Sequence, residues 1–169
     1  EADELAALRI QGECHFQRGL FYFFLVNLYA KAYQPESADE TLGIPLKLSS
    51  YVENEFHRNS LKGVYEQVVT DLTLAVDELT RSPQSNPSFR ASRESALLLL
   101  SRVYLYMQDW DNAIEAASKV IDSNKFLLSD ANTVYTGNYS YYDYMWQYDQ
   151  ATEIIWKVGF TNTSYGGKL

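Results

Sequence analysis

Residues 91–122 read ASRESALLLLSRVYLYMQDWDNAIEAASKVID, and the reading of this stretch decides the fold. From Glu94 to Met107 it carries Leu97, Leu98, Leu99, Leu100, Val103, Tyr104 and Met107. Four adjacent leucines cover more than one face of a helix, so this helix is expected to be packed on several sides. Gln108-Asp109-Trp110-Asp111-Asn112 breaks the run. Ala113, Ile114, Ala117, Val120 and Ile121 then recur at helical spacing, with Glu115, Ser118, Lys119 and Asp122 on the other face. So short a connection makes the two helices antiparallel.

The spacing also fits a tetratricopeptide ruler. Leu97, Leu100, Ser101, Tyr104 and Ala113 occupy its large, apolar, small, aromatic and alanine positions. Small residues are needed where the helices touch, and Tyr104 fills the space beside them. Departures are Leu97 for Trp, Ala117 for the usual aromatic and Lys125 for the closing Pro. An ordinary helical hairpin is the alternative.

A chain of 169 residues makes one or at most two domains with a sizeable core. A formal charge of -8 argues against a nucleic-acid surface, which needs clustered Lys and Arg. The 14 tyrosines exceed what a small helical core needs, which places some rings outside for contact with a ligand or partner. The single cysteine, Cys14, excludes an intrachain disulfide and reads as a small core residue. The apolar run Leu20 to Ala30 falls short of the roughly 20 residues a bilayer span takes. It follows a charged segment and so is not a signal peptide.

The chain reads as mainly α, with tetratricopeptide-like hairpins, long loops and a short strand near its C-terminus. Residues 2–31 form one long helix. Gly12 and Gly19 within it each cost up to ~1 kcal/mol against Ala, which is tolerable where a neighbouring helix approaches closely. Because the chain starts directly in helix, it reads as part of something longer, a single helical domain over 1–169. Residues 32–57, broken by Pro35, Gly43 and Pro45, form a long connection. Its Tyr33, Ile44, Leu46, Leu48, Tyr51 and Phe56 suggest that it is pinned to the body. Ser60 caps an amphipathic helix over 60–80, expected to pair antiparallel with the first. Residues 82–88 are a turn-rich linker. Helices over 92–107 and 110–123 follow, and Phe126, Leu127 and Leu128 are expected to fold onto them. Residues 133–149, rich in Tyr, form an irregular loop or short helix. The alternation in Glu153-Ile154-Ile155-Trp156-Lys157-Val158-Gly159-Phe160 predicts a strand over about 153–160.

These segments, in this order, resemble the SusD/RagB family of outer-membrane nutrient-binding lipoproteins. The family's first helix reads Gly-Glu-Ala-x-Phe-Leu-Arg-Ala before an aromatic run. Here it is Gly12-Glu13-Cys14-His15-Phe16-Gln17-Arg18-Gly19, then Phe21-Tyr22-Phe23 and Leu28-Tyr29. Gly43-Ile44-Pro45 matches the family's Gly-x-Pro loop, and Arg58 precedes a helix with Val64-Tyr65 and Asp71-Leu72. Phe89-Arg90-Ala91-Ser92 leads into the tetratricopeptide-like pair with its Asp109-Trp110 step, and Glu153-Ile154-Ile155-Trp156 looks like the strand that follows. Cys14 and Gly19 depart from the family's alanines. The resemblance implies a surface-exposed lipoprotein of the Bacteroidota outer membrane that captures an oligosaccharide for a SusC-like TonB-dependent transporter. It implies binding without cleavage, a lipid anchor outside this chain as the one membrane attachment, and no cofactor.

Sugar rings stack one apolar face on Tyr or Trp, and their hydroxyls need amide or carboxylate partners. The candidates for such contacts are Tyr139, Tyr141, Tyr142 and Trp146, interleaved with Asn138, Ser140 and Asp143; Tyr33, and more weakly Tyr51, lie on the long loop. The competing reading is a loop tucked onto the helical body with its rings half buried. Arg18 is expected to pair with a carboxylate or carbonyl, and His57 to be a cap or surface group. Asp109-Trp110-Asp111 lacks the acidic ladder of a calcium loop and reads as a helix cap. Cys14 and His15, adjacent on a helix, cannot simply share a metal. No nucleophile elbow, phosphate loop or His-Glu-x-x-His occurs. Asn162-Thr163-Ser164 fits a glycosylation acceptor. Two other functions compete: a tetratricopeptide adaptor for a peptide, which expects further repeats at about 34 residues, and an all-helical glycosidase with paired carboxylates.

Overall fold

The computed structural model describes residues 2–51, 57–82, 88–148 and 151–158. The linker residues 83–87, Phe56, the end of the expected strand at 159–160 and the Asn162 acceptor lie outside them. The elements run α1 (Ala2–Tyr29), α2 (Leu61–Arg81), α3 (Arg93–Met107), α4 (Trp110–Ile121), β1 (Val134–Thr136), β2 (Tyr139–Ser140) and α5 (Tyr141–Tyr148). The chain is mainly α, and its four long helices follow the sequence pattern to within two residues at each end.

α1 and α2 lie antiparallel, and glycine sets how close they come. A Cβ on Gly12 would sit 2.8 Å from Leu79 Cγ, and one on Gly19 would sit 3.0 Å from Leu72. Both glycines and both leucines are seven residues apart, so each leucine of α2 rides over a glycine of α1. Phe16, Leu20, Phe23 and Val26 meet Leu61, Val64, Tyr65, Val68 and Leu72 in one core. Asp71 is fully buried inside it. Arg18 answers it with two bonds, Nε to Oδ2 at 2.8 Å and Nη2 to Oδ1 at 2.6 Å, and Gln67 adds a third at 3.0 Å. The bond to Asp71 raises the Arg18 pKa above its ordinary value in spite of burial. His15 and Glu78 pair at 2.7 Å, one turn back along α1 and two turns on along α2.

Ser60 caps α2, its side chain accepting from Gly63 N at 3.1 Å. The connection from α1 is pinned, as its apolar residues suggest. Gly43 N donates to Asn59 O at 2.8 Å, and Asn59 N donates to Ile44 O at 3.1 Å. The Tyr22 hydroxyl holds both backbone groups of Lys47, and Arg58 donates to the carbonyls of Gly43, Tyr29 and Leu42.

Ser92 and Ser95 form a reciprocal capping box at the start of α3. Gln108 ends the helix in the left-handed region at φ 63°, and Asp109 caps α4. Two residues thus make the turn, and α4 folds back along α3. Ala96, Leu97, Leu99, Leu100 and Val103 are buried, as are Ala113, Ala116 and Val120. The stripe expected on α4 is divided. Ile114 and Ile121 face outward at 65% and 73% exposure, because among the described residues α3 is the one helix packed on α4 and an arc this wide exceeds a single contact.

Three expectations need correction. Cys14 is exposed, since it lies on the side of α1 away from α2. Leu127 and Leu128 are also exposed; the chain is extended there, and the Leu127 backbone N donates to Thr152 O instead of the side chain docking. Residues 153–158 form no strand. A turn occupies 152–153, and the rest is an extended strap, with Lys157 N bonded to Ser88 O at 2.6 Å and Trp156 edge-on to Phe16 at 5.4 Å. Ile154, Ile155, Trp156 and Lys157 are all half-buried, so burial does not alternate along it, and no neighbouring strand is present among the described residues to build a ladder. The short sheet near the C-terminus is the β1–β2 hairpin inside the aromatic stretch.

Candidate functional site

The aromatic stretch is a closed excursion from the helical body. Its base is tied where Leu127 N meets Thr152 O at 3.3 Å and the Thr152 hydroxyl returns to Leu127 O at 3.1 Å. Ser129 N adds a bond to the Glu153 carboxylate at 2.9 Å. Asp130 then turns the chain by accepting from Asn132 N and the Thr133 hydroxyl; the Thr133 bond is the leading reason its carboxyl is held below the usual range. β1 and β2 pair antiparallel, Val134 with Ser140 and Thr136 with Tyr139. Gly137, at φ 56°, takes the left-handed position of the two-residue turn it makes with Asn138.

The chain passes from β2 straight into α5. Ser140 and Asp143 cap the helix reciprocally: Asp143 N donates to Ser140 Oγ at 3.1 Å, and Ser140 N donates to Asp143 Oδ2 at 3.0 Å. That backbone bond, followed by the Ser140 hydroxyl, holds the Asp143 carboxyl below the usual range. Asp143, expected to face a ligand, is therefore the residue that shapes the helix.

α5 buries none of its residues. At 100° per residue its rings divide between two flanks. On one, Tyr144 lies 4.4 Å from Tyr135 of β1 and 4.6 Å from Tyr148, and Tyr141 lies 4.9 Å from Tyr135. These four rings pack on one another. On the other flank Tyr142 and Trp146, one turn apart, meet at 6.1 Å with their planes 68° apart. Trp146 is 71% exposed and Tyr142 44%. Asn138 and Tyr139 are exposed in the hairpin.

The structure therefore brings Tyr142 and Trp146 together, turns Tyr141 to the opposite flank, and places Tyr33 elsewhere. The Tyr33 ring packs on Tyr65 at 4.8 Å, near the start of α2 and the end of α3. Burial, then the charge of Glu66, raises its hydroxyl pKa. The strap leading from the excursion touches Ser88 and Phe16, toward the opposite end of α2 and α3. Tyr135, Tyr144 and Tyr148 form the supporting stack and were not singled out by composition. The signals were the four-residue step between the last two and the Thr136-Gly137-Asn138-Tyr139 hairpin, which folds Tyr135 back.

A second concavity was not anticipated. A cleft of about 780 Å³ lies between the start of α3 and residues 151–155, with Arg90, Arg93, Glu94 and Lys125 in its lining. Glu94 is buried. Burial disfavours its charge, yet the hydrogen bond from Lys125 leads the opposing effects, and its pKa lies below the ordinary value. Among the described residues no group of three or more His, Cys, Asp or Glu is placed to hold a metal ion. None of the described helices is long and apolar enough to cross a membrane.

The family model for SusD-like proteins, described as starch-binding and associating with the outer membrane, matches residues 1–105. A SusD superfamily protein from Bacteroides thetaiotaomicron VPI-5482 superposes with a TM-score of 0.79 at 28% identity, over 99% of this chain and 34% of that one. A protein from Bacteroides vulgatus ATCC 8482, described as a putative sugar-binding protein, gives 0.81 at 21% identity over 99% and 36%; at that identity the likeness is one of fold. A laminarin-binding SusD-like protein gives 0.57 at 25% identity over 75% and 25%. This chain thus spans about a third of the length of the first of these relatives. No curated protein matches the sequence.

Proposed function

This chain belongs to the SusD-like family, and from that membership we propose that it serves as the helical support and part of the contact surface of a glycan-capture protein. The protein acts by binding and does not cleave its ligand. The observation that carries the reading is the Tyr142–Trp146 pair, exposed on a helix that buries nothing and is held by its cap, by the Tyr135 ring of β1 and by Ser129 Oγ on Met145 Sδ. Exposed rings held by neighbouring rings present flat apolar faces with little entropy left to lose on binding, which is what stacking on sugars requires. Asn138, in the adjoining turn, supplies an amide for hydroxyl groups.

The wider role follows the family. The protein stands at the cell surface of the outer membrane as a lipoprotein. It passes an oligosaccharide to a SusC-like TonB-dependent transporter, and its membrane attachment is a lipid outside these residues. Titration against a panel of neutral oligosaccharides, laminarin and starch fragments included, tests the binding role. Trp146→Ala is expected to weaken the preferred glycan about tenfold while leaving the fold intact, the size of one lost aromatic contact. Equal binding by the variant and the parent would move the site away from α5, and binding of no glycan by the parent would remove the reading.

A further inference from the structure

The cleft beside α3 carries a charge balance opposite to that of the molecule. The chain as a whole has a formal charge of -8. Around this cleft Arg90, Arg93 and Lys125 stand against Glu94. Glu13, from α1, holds Arg90 with two bonds at 2.9 and 2.6 Å. Lys125 Nζ and Arg93 Nη1 both reach one oxygen, Glu94 Oε1, at 2.8 and 3.4 Å. Among the described residues two carboxylates therefore serve three cations, which leaves one positive charge in excess at the Arg93–Lys125 side. Both side chains remain accessible, at 32% and 61% exposure, and each has further N–H groups to donate. Phe126, Ile154 and Ile155 give the lining an apolar patch, set among the hydroxyl side chains of Thr80, Ser88, Ser123 and Thr152.

We propose that this cleft binds a saccharide unit bearing a single carboxylate, a hexuronate, with the carboxylate on Arg93 and Lys125 and the apolar sugar face against Ile154 and Ile155. One negative charge matches the excess. A neutral sugar leaves it unanswered, and a free inorganic anion makes no use of the apolar patch. At about 780 Å³ the recess is within the size of small-ligand sites. The start of α3 does not compete for the anion, because Ser92 and Ser95 already cap each other there. The saccharide half of the proposal rests on the glycan-binding reading; the carboxylate half rests on the charge geometry.

The test is calorimetric titration of the 169-residue chain at low ionic strength with a glucuronate-containing disaccharide and with its glucose counterpart. The acid is expected to bind about tenfold or more tightly. Lys125→Gln is expected to remove that preference and Lys125→Arg to keep it. Because Lys125 also supports the buried Glu94, Ile155→Asp provides the same test from the opposite wall, repelling the acid without touching Glu94. Trp146→Ala is expected to leave the ratio of acid to neutral affinity unchanged, whatever it does to stacking on α5. Equal affinity for acid and neutral sugar, an unaltered preference in both Lys125→Gln and Ile155→Asp, or displacement by inorganic phosphate as effective as by free glucuronate would each overturn the proposal. Loss of neutral-glycan binding in Trp146→Ala without any preference for the acid would sink this inference and leave the α5 reading standing. A Lys125-dependent preference for the acid with no neutral glycan bound would do the reverse.

Discussion

In the α1–α2 pair a leucine of one helix sits over a glycine of the other, twice, and a carboxylate with no exposure lies between them. In α5, eight residues long, no side chain is buried, and the rings lean on each other. The first region has its neighbours at van der Waals distance from a distant part of the sequence. The second finds its ring partners inside the excursion itself, and Ser129 Oγ, near the base, meets Met145 Sδ at 4.0 Å. The difference is one of what a substitution can reach. Changes in α1 or α2 must be felt as stability, whereas changes on the outer flank of α5 can alter binding and nothing else.

The sharpest way to break this contrast is at Asp71. Arg18→Leu leaves that carboxylate buried with only the Gln67 amide, and removing one member of a buried pair costs about 3–5 kcal/mol. The loss should appear as a lower denaturation midpoint with an unchanged denaturant slope. If the variant unfolds like the parent, Asp71 is not sealed in the way its burial indicates. Gly12→Val is next. Its Cβ would meet Leu79 Cγ at 2.8 Å, and overpacking of this kind costs about 1–3 kcal/mol. The same substitution raises β-branching within α1, so Gly12→Ala, the better helix former, separates the two causes. If contact with Leu79 dominates, Ala also destabilises despite its helix propensity.

On the other side of the comparison, Trp146→Ala together with Tyr142→Ala should leave the unfolding midpoint within error of the parent while glycan affinity falls. A drop in stability equal to that of Gly12→Val would show that α5 is part of the core after all, and would return the tyrosines to a packing role.

The two regions were also legible to different degrees. The helical body follows from spacing, because a period of 3.6 survives any choice of neighbour. Gly12 and Gly19 announced a close approach, and Arg18 on an apolar helix announced a carboxylate or a carbonyl, of which the structure supplies the carboxylate of Asp71. Ile114 and Ile121 show the limit: periodicity marks an apolar arc and does not say how many neighbours cover it. The excursion has no period over its length, because strand, turn and helix each last only a few residues. Its local signals were present all the same. Gly137-Asn138 between β-formers is a hairpin turn, and Ser140 with Asp143 three residues on is a capping box. The strap misled because β-forming apolar residues accept an extended conformation whether or not a second strand is there. The cationic cleft was invisible to composition: its charges come from residues 90, 93 and 125, and Lys125 registered only as a departure from a repeat pattern.

Glu94 tests the seam between the two regions, with an effect smaller than those at Asp71 or Gly12. Burial raises a carboxyl pKa, but the hydrogen bond from Lys125, then its backbone bond and the charges of Lys125 and Arg93, hold Glu94 below its ordinary value of 4.5. A folded-state pKa below the unfolded one adds stability above the unfolded value, and that stability is lost as pH falls through the folded one. Below pH 4.5 the parent is therefore expected to lose stability with a proton uptake that Glu94→Gln lacks, so the two curves converge on acidification. Parallel curves over that range would mean that Lys125 and Arg93 do not favour the ionised carboxylate, and the excess positive charge assigned to the cleft would have to be recounted.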